Sequence, residues 1–172
     1  MASFFTGLTA VGAFVRIPLP FVPITLQVLM VILSGLLLSP RAALLSQAAY
    51  ILLGLSGVPV FSGGGGISYI LSPTFGYLLG QLPAAWIIAA LVKRSDISFR
   101  RLFPAAVGGV SIIYFLGAAV LFLNFNYLAE KPSTVGQILH IGVYPFILPD
   151  LLKAVAASLI ALKIRMAVRH PL

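Results

Sequence analysis

Cysteine is absent from this 172-residue chain, and charged side chains are scarce. The lack of cysteine excludes disulfide bonds, thiolate metal sites and cysteine nucleophiles. Only 8% of the residues are charged and only three are acidic, so neither a carboxylate pair nor a cluster of metal ligands is evident. The two histidines, His140 and His170, lie far apart in the sequence. Hydrolytic and transfer chemistries, which need a base near a nucleophile, therefore find little support.

Apolar residues make up 60% of the chain, and its mean hydropathy is +1.12. These values lie far outside the range of soluble domains and indicate an integral membrane protein surrounded by lipid. The length allows about six spans of roughly 20 residues, so we expect one polytopic transmembrane domain over residues 1–172. The net charge of +8 does not indicate a nucleic-acid partner, because the basic residues fall mainly in particular loops.

Six apolar segments predict an all-α, polytopic bundle of six transmembrane helices, since a lipid-exposed segment must satisfy its own backbone hydrogen bonds. The predicted helices are 3–17, 24–38, 42–55, 74–92, 102–123 and 144–168.

Eight of the eleven basic residues fall on one side of this arrangement. They are Arg41, Lys93, Arg94, Arg100, Arg101, Lys163, Arg165 and Arg169. The positive-inside rule then places both termini in the cytoplasm. We therefore expect a multi-pass protein of the plasma membrane of a prokaryotic cell. The connections 18–23, 57–73 and 124–143 face outward, with His140 in an amphipathic stretch at the interface.

Asp150 and Lys153 lie in the last apolar segment, where any charge is costly. Residues three apart share one helix face, so the carboxylate and the ammonium can partly neutralise each other. We interpret them as the floor of a polar pocket that opens to the outside. A structural ion pair between helices is the alternative.

Two outward-facing connections add candidate ligand contacts. Thr25 and Gln27 follow three prolines at the outer end of the second helix, where ligand contact is about as well supported as helix capping and interhelical bonding. Gly63, Gly64 and Gly65 belong to a run of four glycines, which allows close backbone approach to a ligand and favours a lid or pocket wall over a plain flexible turn.

Aromatic and small residues supply the remaining candidates. Tyr77 lies one turn into the fourth helix, where it can stack on a ligand ring or belong to an interfacial aromatic belt. Gly7, Ala10 and Ala13 belong to pairs of small residues at four-residue spacing on the first helix. Such a surface serves either internal packing or docking of another membrane subunit.

Four motifs, in this order, closely resemble the BioY family of biotin-binding S components of energy-coupling factor (ECF) transporters. They are the run from Ile17 to Gln27, the run from Gly54 to Gly66, the run from Ser72 to Gly80, and Pro149-Asp-Leu-Leu-Lys-Ala. The resemblance implies an S-component bundle that captures biotin from outside. It also implies uptake energised by a transmembrane T component and ATPases, with biotin as the transported ligand and no cofactor.

The resemblance also implies roles for individual residues. Asp150 would accept a ureido N–H of biotin, Lys153 would balance Asp150 and donate to a ligand oxygen, and Gln27 would complete the polar contacts beside Thr25. Tyr77 and Phe61 would pack against the bicycle, and the glycine loop would close over the ligand.

Three other interpretations remain open from the sequence. An S component for a different vitamin would share the architecture. An intramembrane enzyme would need His140 to meet Asp150 or another base. A structural subunit without a ligand would leave the intramembrane charge pair as an unexplained cost.

Overall fold

The computed structural model describes residues 1–92, 98–129 and 131–169, excluding the side chain of Arg169. Lys93 and Arg94, which entered the topology argument, and His170 lie outside the described residues. The described helices are α1 (Ala2–Phe14), α2 (Gln27–Leu37), α3 (Pro40–Leu55), α4 (Phe75–Leu91), α5 (Phe99–Leu123), α6 (Val135–Gly142) and α7 (Tyr144–Arg169). A 3₁₀ helix covers Ile67–Leu71, and a π-helical turn over Asn124–Leu128 extends α5.

The first two predicted helices extend too far into the loop between them. α1 ends at Phe14 and α2 begins at Gln27, whereas the apolar pattern predicted helix to residue 17 and from residue 24. The short strands β1 (Arg16–Ile17) and β2 (Ile24–Thr25) pair antiparallel across this gap. Proline disfavours helical conformation in the residue before it, and Ile17 precedes Pro18. The proline-rich connection is therefore a hairpin-like ribbon.

The outer connection 124–143 contains a helix that the apolar pattern predicted only as an amphipathic stretch. α6 begins after Thr134, whose hydroxyl accepts a hydrogen bond from the Gln137 backbone while the Gln137 side chain accepts one from the Thr134 backbone. This capping box satisfies two amide groups that would otherwise lack partners at a helix start. The described residues therefore include a seventh, short helix between α5 and α7.

α4 and α5 form the most extensive helix pair in the described bundle. Glycines allow the two backbones to approach closely. A Cβ atom at Gly80 would lie 2.8 Å from the Ile113 Cα atom, and one at Gly76 would lie 2.6 Å from the Leu116 carbonyl oxygen. Small residues at such positions are typical of helix pairs in membranes.

The exterior of the bundle is rich in large apolar side chains, among them Leu52, Phe115 and Leu152. Two described helical segments, Phe99–Leu128 and Tyr144–Val168, are long and apolar enough to cross a bilayer, and α1, α2 and α4 are shorter apolar helices. An apolar exterior of this extent is expected for a protein surrounded by lipid.

The basic end of the bundle is defined by contacts between distant segments. The Arg165 side chain near the end of α7 donates to the Leu36 carbonyl oxygen at the end of α2, with Nε 3.0 Å away. Phe5 of α1 belongs to the same buried cluster as Leu102 and Ala161. The start of α1 and the end of α7 therefore lie towards the same end of the bundle.

Candidate ligand-binding site

Asp150 lies in the first part of α7 and is 3% exposed. Its Oδ1 atom is 2.6 Å from Lys153 Nζ, one helical turn later. The predicted pairing of these two residues on one helix face is therefore confirmed. A carboxylate buried this deeply needs such a partner, because an unpaired buried charge is strongly unfavourable.

Tyr114 of α5 is a third member of this group, and sequence reasoning missed it. Its hydroxyl donates a 2.7 Å hydrogen bond to Asp150 Oδ2. Each carboxylate oxygen of Asp150 thus already accepts one hydrogen bond. A tyrosine in an apolar helix signals that its hydroxyl needs a partner, but only the packing of α5 against α7 identifies which one.

Gln27 belongs to a second polar chain, which joins the proline-rich ribbon to the glycine-rich connection. Thr25 Oγ1 donates to Gln27 Oε1 over 3.1 Å, and Gln27 Nε2 donates to the Tyr50 hydroxyl over 2.8 Å. Tyr50 in turn donates to the Val60 carbonyl oxygen over 3.0 Å. Gln27 therefore makes the predicted interhelical bond, from α2 to α3, whereas the Thr25 side chain bonds to the neighbouring Gln27. Both residues also lie at a cavity wall.

Both polar groups meet at an inner cavity of about 50 Å³. Its lining consists of Val22, Pro23, Thr25, Gln27, Val28, Ser62, Tyr69, Thr74, Tyr77, Leu78, Gln81, Ile113, Tyr114, Phe146 and Asp150. Thr25, Gln27, Tyr77 and Asp150 are thus brought together as predicted. Lys153 is not among the lining residues of this cavity and pairs with Asp150, so its direct contact with a ligand stays a prediction.

An outer vestibule of about 620 Å³ adjoins the inner cavity. Pro23, Ser62, Tyr69 and Thr74 line both spaces and form the collar between them. Thr74 Oγ1 donates to the Tyr69 hydroxyl over 3.1 Å, which ties the 3₁₀ helix to the start of α4. The vestibule also contains the exposed residue Arg16, a cation that sequence reasoning did not single out.

The glycine run forms a tight turn at the vestibule. Phe61 and Gly64 exchange two backbone hydrogen bonds, and Gly64 has a φ of 120°. A Cβ atom at Gly65 would lie 2.3 Å from the Val58 carbonyl oxygen, so this position accepts only glycine without displacement of the loop.

The N–H groups of the glycine run divide into two sets. Gly64 donates to Phe61 and Gly66 donates to Gly54, so these two N–H groups are already used. Those of Gly63 and Gly65 have no partner among the described residues, and both glycines line the vestibule. The predicted backbone contact with a ligand is thus restricted to Gly63 and Gly65.

The two aromatic candidates are placed differently from each other. Phe61 is 1% exposed, packs edge-on against Tyr50 with centroids 5.4 Å apart, and lies outside both cavity linings. Its ring contact with a ligand therefore stays a prediction. Phe61 instead supports Tyr69 from behind, at a centroid distance of 4.6 Å, because the tight turn directs it into the core. Tyr77 lines the inner cavity, but its hydroxyl donates to the Gly142 carbonyl oxygen over 2.8 Å.

The small residues of α1 do not share one exposed face. Gly7 is exposed and Ala10 is half-buried, whereas Ala13 is completely buried in the bundle. Thr6 Oγ1 donates to the Ser46 carbonyl oxygen of α3 over 2.9 Å. Ala13 therefore serves internal packing in this conformation, and a part for it in docking stays a prediction.

The arrangement is not that of a catalytic centre. His140 is exposed, its ring contacts Tyr144 at 6.1 Å between centroids, and it does not line the Asp150 cavity. Among the described residues, no three His, Cys, Asp or Glu side chains are grouped to hold a metal ion. A deep cavity with a paired carboxylate at its wall, an outer vestibule and an apolar exterior define a membrane-embedded receptor for a small polar molecule.

Comparison with known proteins gives the family. Residues 1–170 match the model of the BioY family, and the chain belongs to this family. A probable biotin transporter BioY of Lysinibacillus sphaericus is 41% identical over 162 residues, which cover 94% of this chain and 83% of the relative. The biotin transporter BioY of Thermotoga maritima is 41% identical over 165 residues, covering 95% and 93%. Family membership makes the chain a transport protein rather than an enzyme.

A solved structure gives the same result for the fold. The crystal structure of the S-component for biotin from an ECF-type ABC transporter superposes with a TM-score of 0.84. The two sequences are 26% identical, and the match covers 96% of this chain and 88% of the other. The helices described above are therefore arranged as in an ECF S-component.

Proposed function

We propose that this chain is the substrate-binding S subunit of a biotin uptake system, which captures biotin from the outer side of the membrane. The observation that carries the proposal is the buried Asp150, held by Lys153 and Tyr114 at the wall of a cavity in a member of the BioY family. Relatives named as biotin transporters and the fold of a biotin S-component support it.

Asp150 has the capacity to recognise the ureido ring. A carboxylate has about four lone-pair sites, and two of those on Asp150 are occupied by Lys153 and Tyr114. A further lone pair accepts a ureido N–H, while Lys153 compensates the negative charge. Gln27 and Thr25 supply neighbouring polar atoms, and Tyr77 supplies an aromatic wall for the bicycle.

Ligand binding requires the collar to move. Cavities that hold small molecules usually measure about 300–1,000 Å³, and the inner cavity holds only about 50 Å³. The bicycle therefore displaces the collar residues, of which Tyr69 is the largest. The glycine-rich connection 57–73 carries Tyr69 and acts as the lid predicted from its composition.

The carboxylate tail of the ligand then lies in the vestibule. The N–H groups of Gly63 and Gly65 and the side chain of Arg16 line this space, and each favours an anion. Arg16 also attracts an anionic ligand from bulk water over a distance of about 10 Å.

The proposed topology has six membrane-crossing helices, α1 to α5 and α7, with α6 at the outer interface. Both termini then lie in the cytoplasm, and the protein is a multi-pass protein of the plasma membrane of a prokaryotic cell. The clustering of Arg165, Leu36 and the ends of α1 and α7 at one end of the bundle supports this orientation.

Uptake is energised by an ECF T component and ATPases in this proposal. The chain has no nucleotide-binding glycine loop ending in Gly-Lys-Ser/Thr, so ATP would be hydrolysed by other subunits. Gly7 and Ala10 lie on the part of α1 that is accessible to such a partner. Inward release requires a bundle conformation with lower affinity for biotin.

Equilibrium binding of labelled biotin to the purified protein in detergent tests the ligand assignment, with other vitamins as competitors. Tight binding that only biotin displaces supports the proposal. Displacement by a different vitamin at lower concentration would instead identify an S component for that vitamin, and a folded sample that binds none would indicate a structural subunit.

A further inference from the structure

Gln81 lies on α4 four residues, about one turn, beyond Tyr77 and shares its helix face. It is 3% exposed and lines the inner cavity with Asp150 and Gln27. None of the motifs discussed above includes it.

The Gln81 Oε1 atom is buried and has no hydrogen-bond partner in the described part of the chain. A buried acceptor without a partner is costly, and native proteins keep few of them. One other described side-chain atom shares this property, Gln47 Oε1. The Gln47 amide lies among Thr9, Ser34 and Ser46, and Gln47 does not line the cavity, so Gln81 is the cavity-lining residue of the two that carries an unused acceptor.

The other principal polar side chains of the cavity already have partners. The Asp150 carboxylate accepts from Lys153 and Tyr114, and the Gln27 amide is bonded to Thr25 and Tyr50. The Tyr77 hydroxyl donates to a backbone carbonyl oxygen. An incoming N–H donor therefore finds a wholly unpartnered acceptor at Gln81, in addition to the remaining lone pairs of Asp150.

We infer that Gln81 is a specificity-determining residue that accepts a hydrogen bond from one N–H of a cyclic urea, while Asp150 accepts from the other. This inference rests on the proposed function. The cavity thus selects a small ring with two N–H donors, and it rejects rings in which either donor is replaced or alkylated. Such rejection is strong when a buried polar group is left without its partner.

The Gln81→Leu variant separates a ligand-binding role from a structural one. Leucine has a similar size and no polar atoms, so the ligand-free protein keeps or raises its melting temperature, because an unpaired buried acceptor is removed. The same variant binds biotin about 10-fold more weakly, as expected for the loss of one hydrogen bond inside a dry site.

Two biotin analogues, each methylated on one ureido nitrogen, make the test specific. Wild type discriminates against both. Gln81→Leu loses its discrimination against one analogue and retains it against the other, which Asp150 still reads.

Gln47→Leu is the matched control, because it changes the other buried glutamine with an unpaired oxygen and lies outside the cavity. It lowers the melting temperature, since its Nε2 hydrogen bonds are lost, and leaves biotin affinity within about 2-fold.

The inference is overturned if Gln81→Leu keeps wild-type affinity and full discrimination. It is also overturned if this variant lowers the melting temperature and weakens biotin and both analogues equally, since that is the signature of a structural role. Wild-type protein that does not bind biotin would overturn the proposed function and this inference together, whereas normal wild-type binding with an unaltered Gln81→Leu overturns the inference alone.

Discussion

At the residue scale, three side chains from two helices form one charged unit. Lys153 donates to one oxygen of Asp150 and Tyr114 donates to the other, at 2.6 Å and 2.7 Å. The ammonium compensates the charge, and the phenol fixes the orientation of the carboxylate. Asp150 therefore presents its remaining lone pairs in a defined direction, which reduces the loss of freedom on ligand binding.

The Tyr114→Phe variant tests this orienting role. A hydrogen bond to a charged group contributes about 1.5–3 kcal/mol, and part of this stabilisation holds Asp150 in its binding position. We expect biotin to bind about 10-fold more weakly, as measured by calorimetry. Tyr144→Phe is the matched control, because Tyr144 is exposed and lines no cavity described here. Equal affinities of Tyr114→Phe and wild type would show that Tyr114 has no such role.

Sequence reasoning located Asp150 and Lys153 because helical periodicity alone brings residues three apart together. It could not locate Tyr114 or Gln81, since their roles depend on how α4 and α5 pack against α7. It also assigned Phe61 to the ligand, whereas the turn closed by Phe61 and Gly64 directs that ring into the core. Burial inside a loop has no periodic signal in the sequence.

At the scale of elements, the connection 57–73 combines a rigid turn with a movable collar. Gly65 packs against the Val58 carbonyl oxygen, and Gly66 donates to Gly54 over 2.7 Å, so the base of the loop is fixed to α3. Tyr69 extends from this base over the inner cavity.

The Gly65→Ala variant tests whether the base of the loop positions the collar. The added Cβ atom would lie 2.3 Å from a carbonyl oxygen, so the loop must shift. We expect at least about 10-fold weaker biotin binding with a modest fall in melting temperature, since overpacking costs about 1–3 kcal/mol. At Gly108 a Cβ atom meets nothing within 4 Å, so Gly108→Ala is the control with unchanged affinity. If the Gly65→Ala variant bound biotin with unchanged affinity, the base of this loop would not position the collar for ligand binding.

The contact of α4 with α5 gives a separate prediction about stability. Gly80→Ala places a methyl group 2.8 Å from the backbone of Ile113, so the two helices must separate. We expect a loss of about 1–3 kcal/mol, measured as a lower melting temperature in detergent. Gly108→Ala on the same pair of helices should keep or slightly raise the melting temperature, because alanine favours helix over glycine. A Gly80→Ala protein as stable as Gly108→Ala would contradict the close packing.

The sequence predicted that the long helices exist, but it predicted their ends less accurately. Long apolar segments predicted α4, α5 and α7 within a few residues, because the period and length of such segments have few alternatives in lipid. The predicted C-terminal end of α1 and the predicted N-terminal end of α2 were wrong, since proline geometry and strand pairing override apolar composition over residues 15–26. The capping box of α6 is visible in the sequence as Thr134-x-x-Gln137. The segment was nevertheless predicted only as an amphipathic stretch, because the helix that follows the capping box is short.

At the scale of the whole molecule, the charge distribution and the position of the cavity define an axis. The basic residues Arg41, Arg101 and Lys163 lie at helix ends that meet near Leu36 and Arg165, while the vestibule opens among the connections at the other ends. A ligand captured in the vestibule must therefore pass along the bundle to reach the basic end.

The absence of cysteine makes this orientation directly testable with single introduced cysteines. Ser68 is exposed in the vestibule, and Ser39 is exposed in the connection between α2 and α3. In intact cells, we expect a membrane-impermeant maleimide to label Ser68→Cys and to leave Ser39→Cys unlabelled until the cells are opened. Labelling of the Ser39→Cys variant alone in intact cells would reverse the proposed orientation.

The central claim is that the Asp150 charge binds the ligand. Its most direct test is the dissociation constant of biotin for wild type and Asp150→Asn, with the double variant Asp150→Asn/Lys153→Met to avoid an unpaired buried ammonium. We predict at least about 100-fold weaker binding by both folded variants, because a charge-assisted hydrogen bond is lost. Folded Asp150→Asn protein that binds biotin within about 3-fold of wild type would contradict the account.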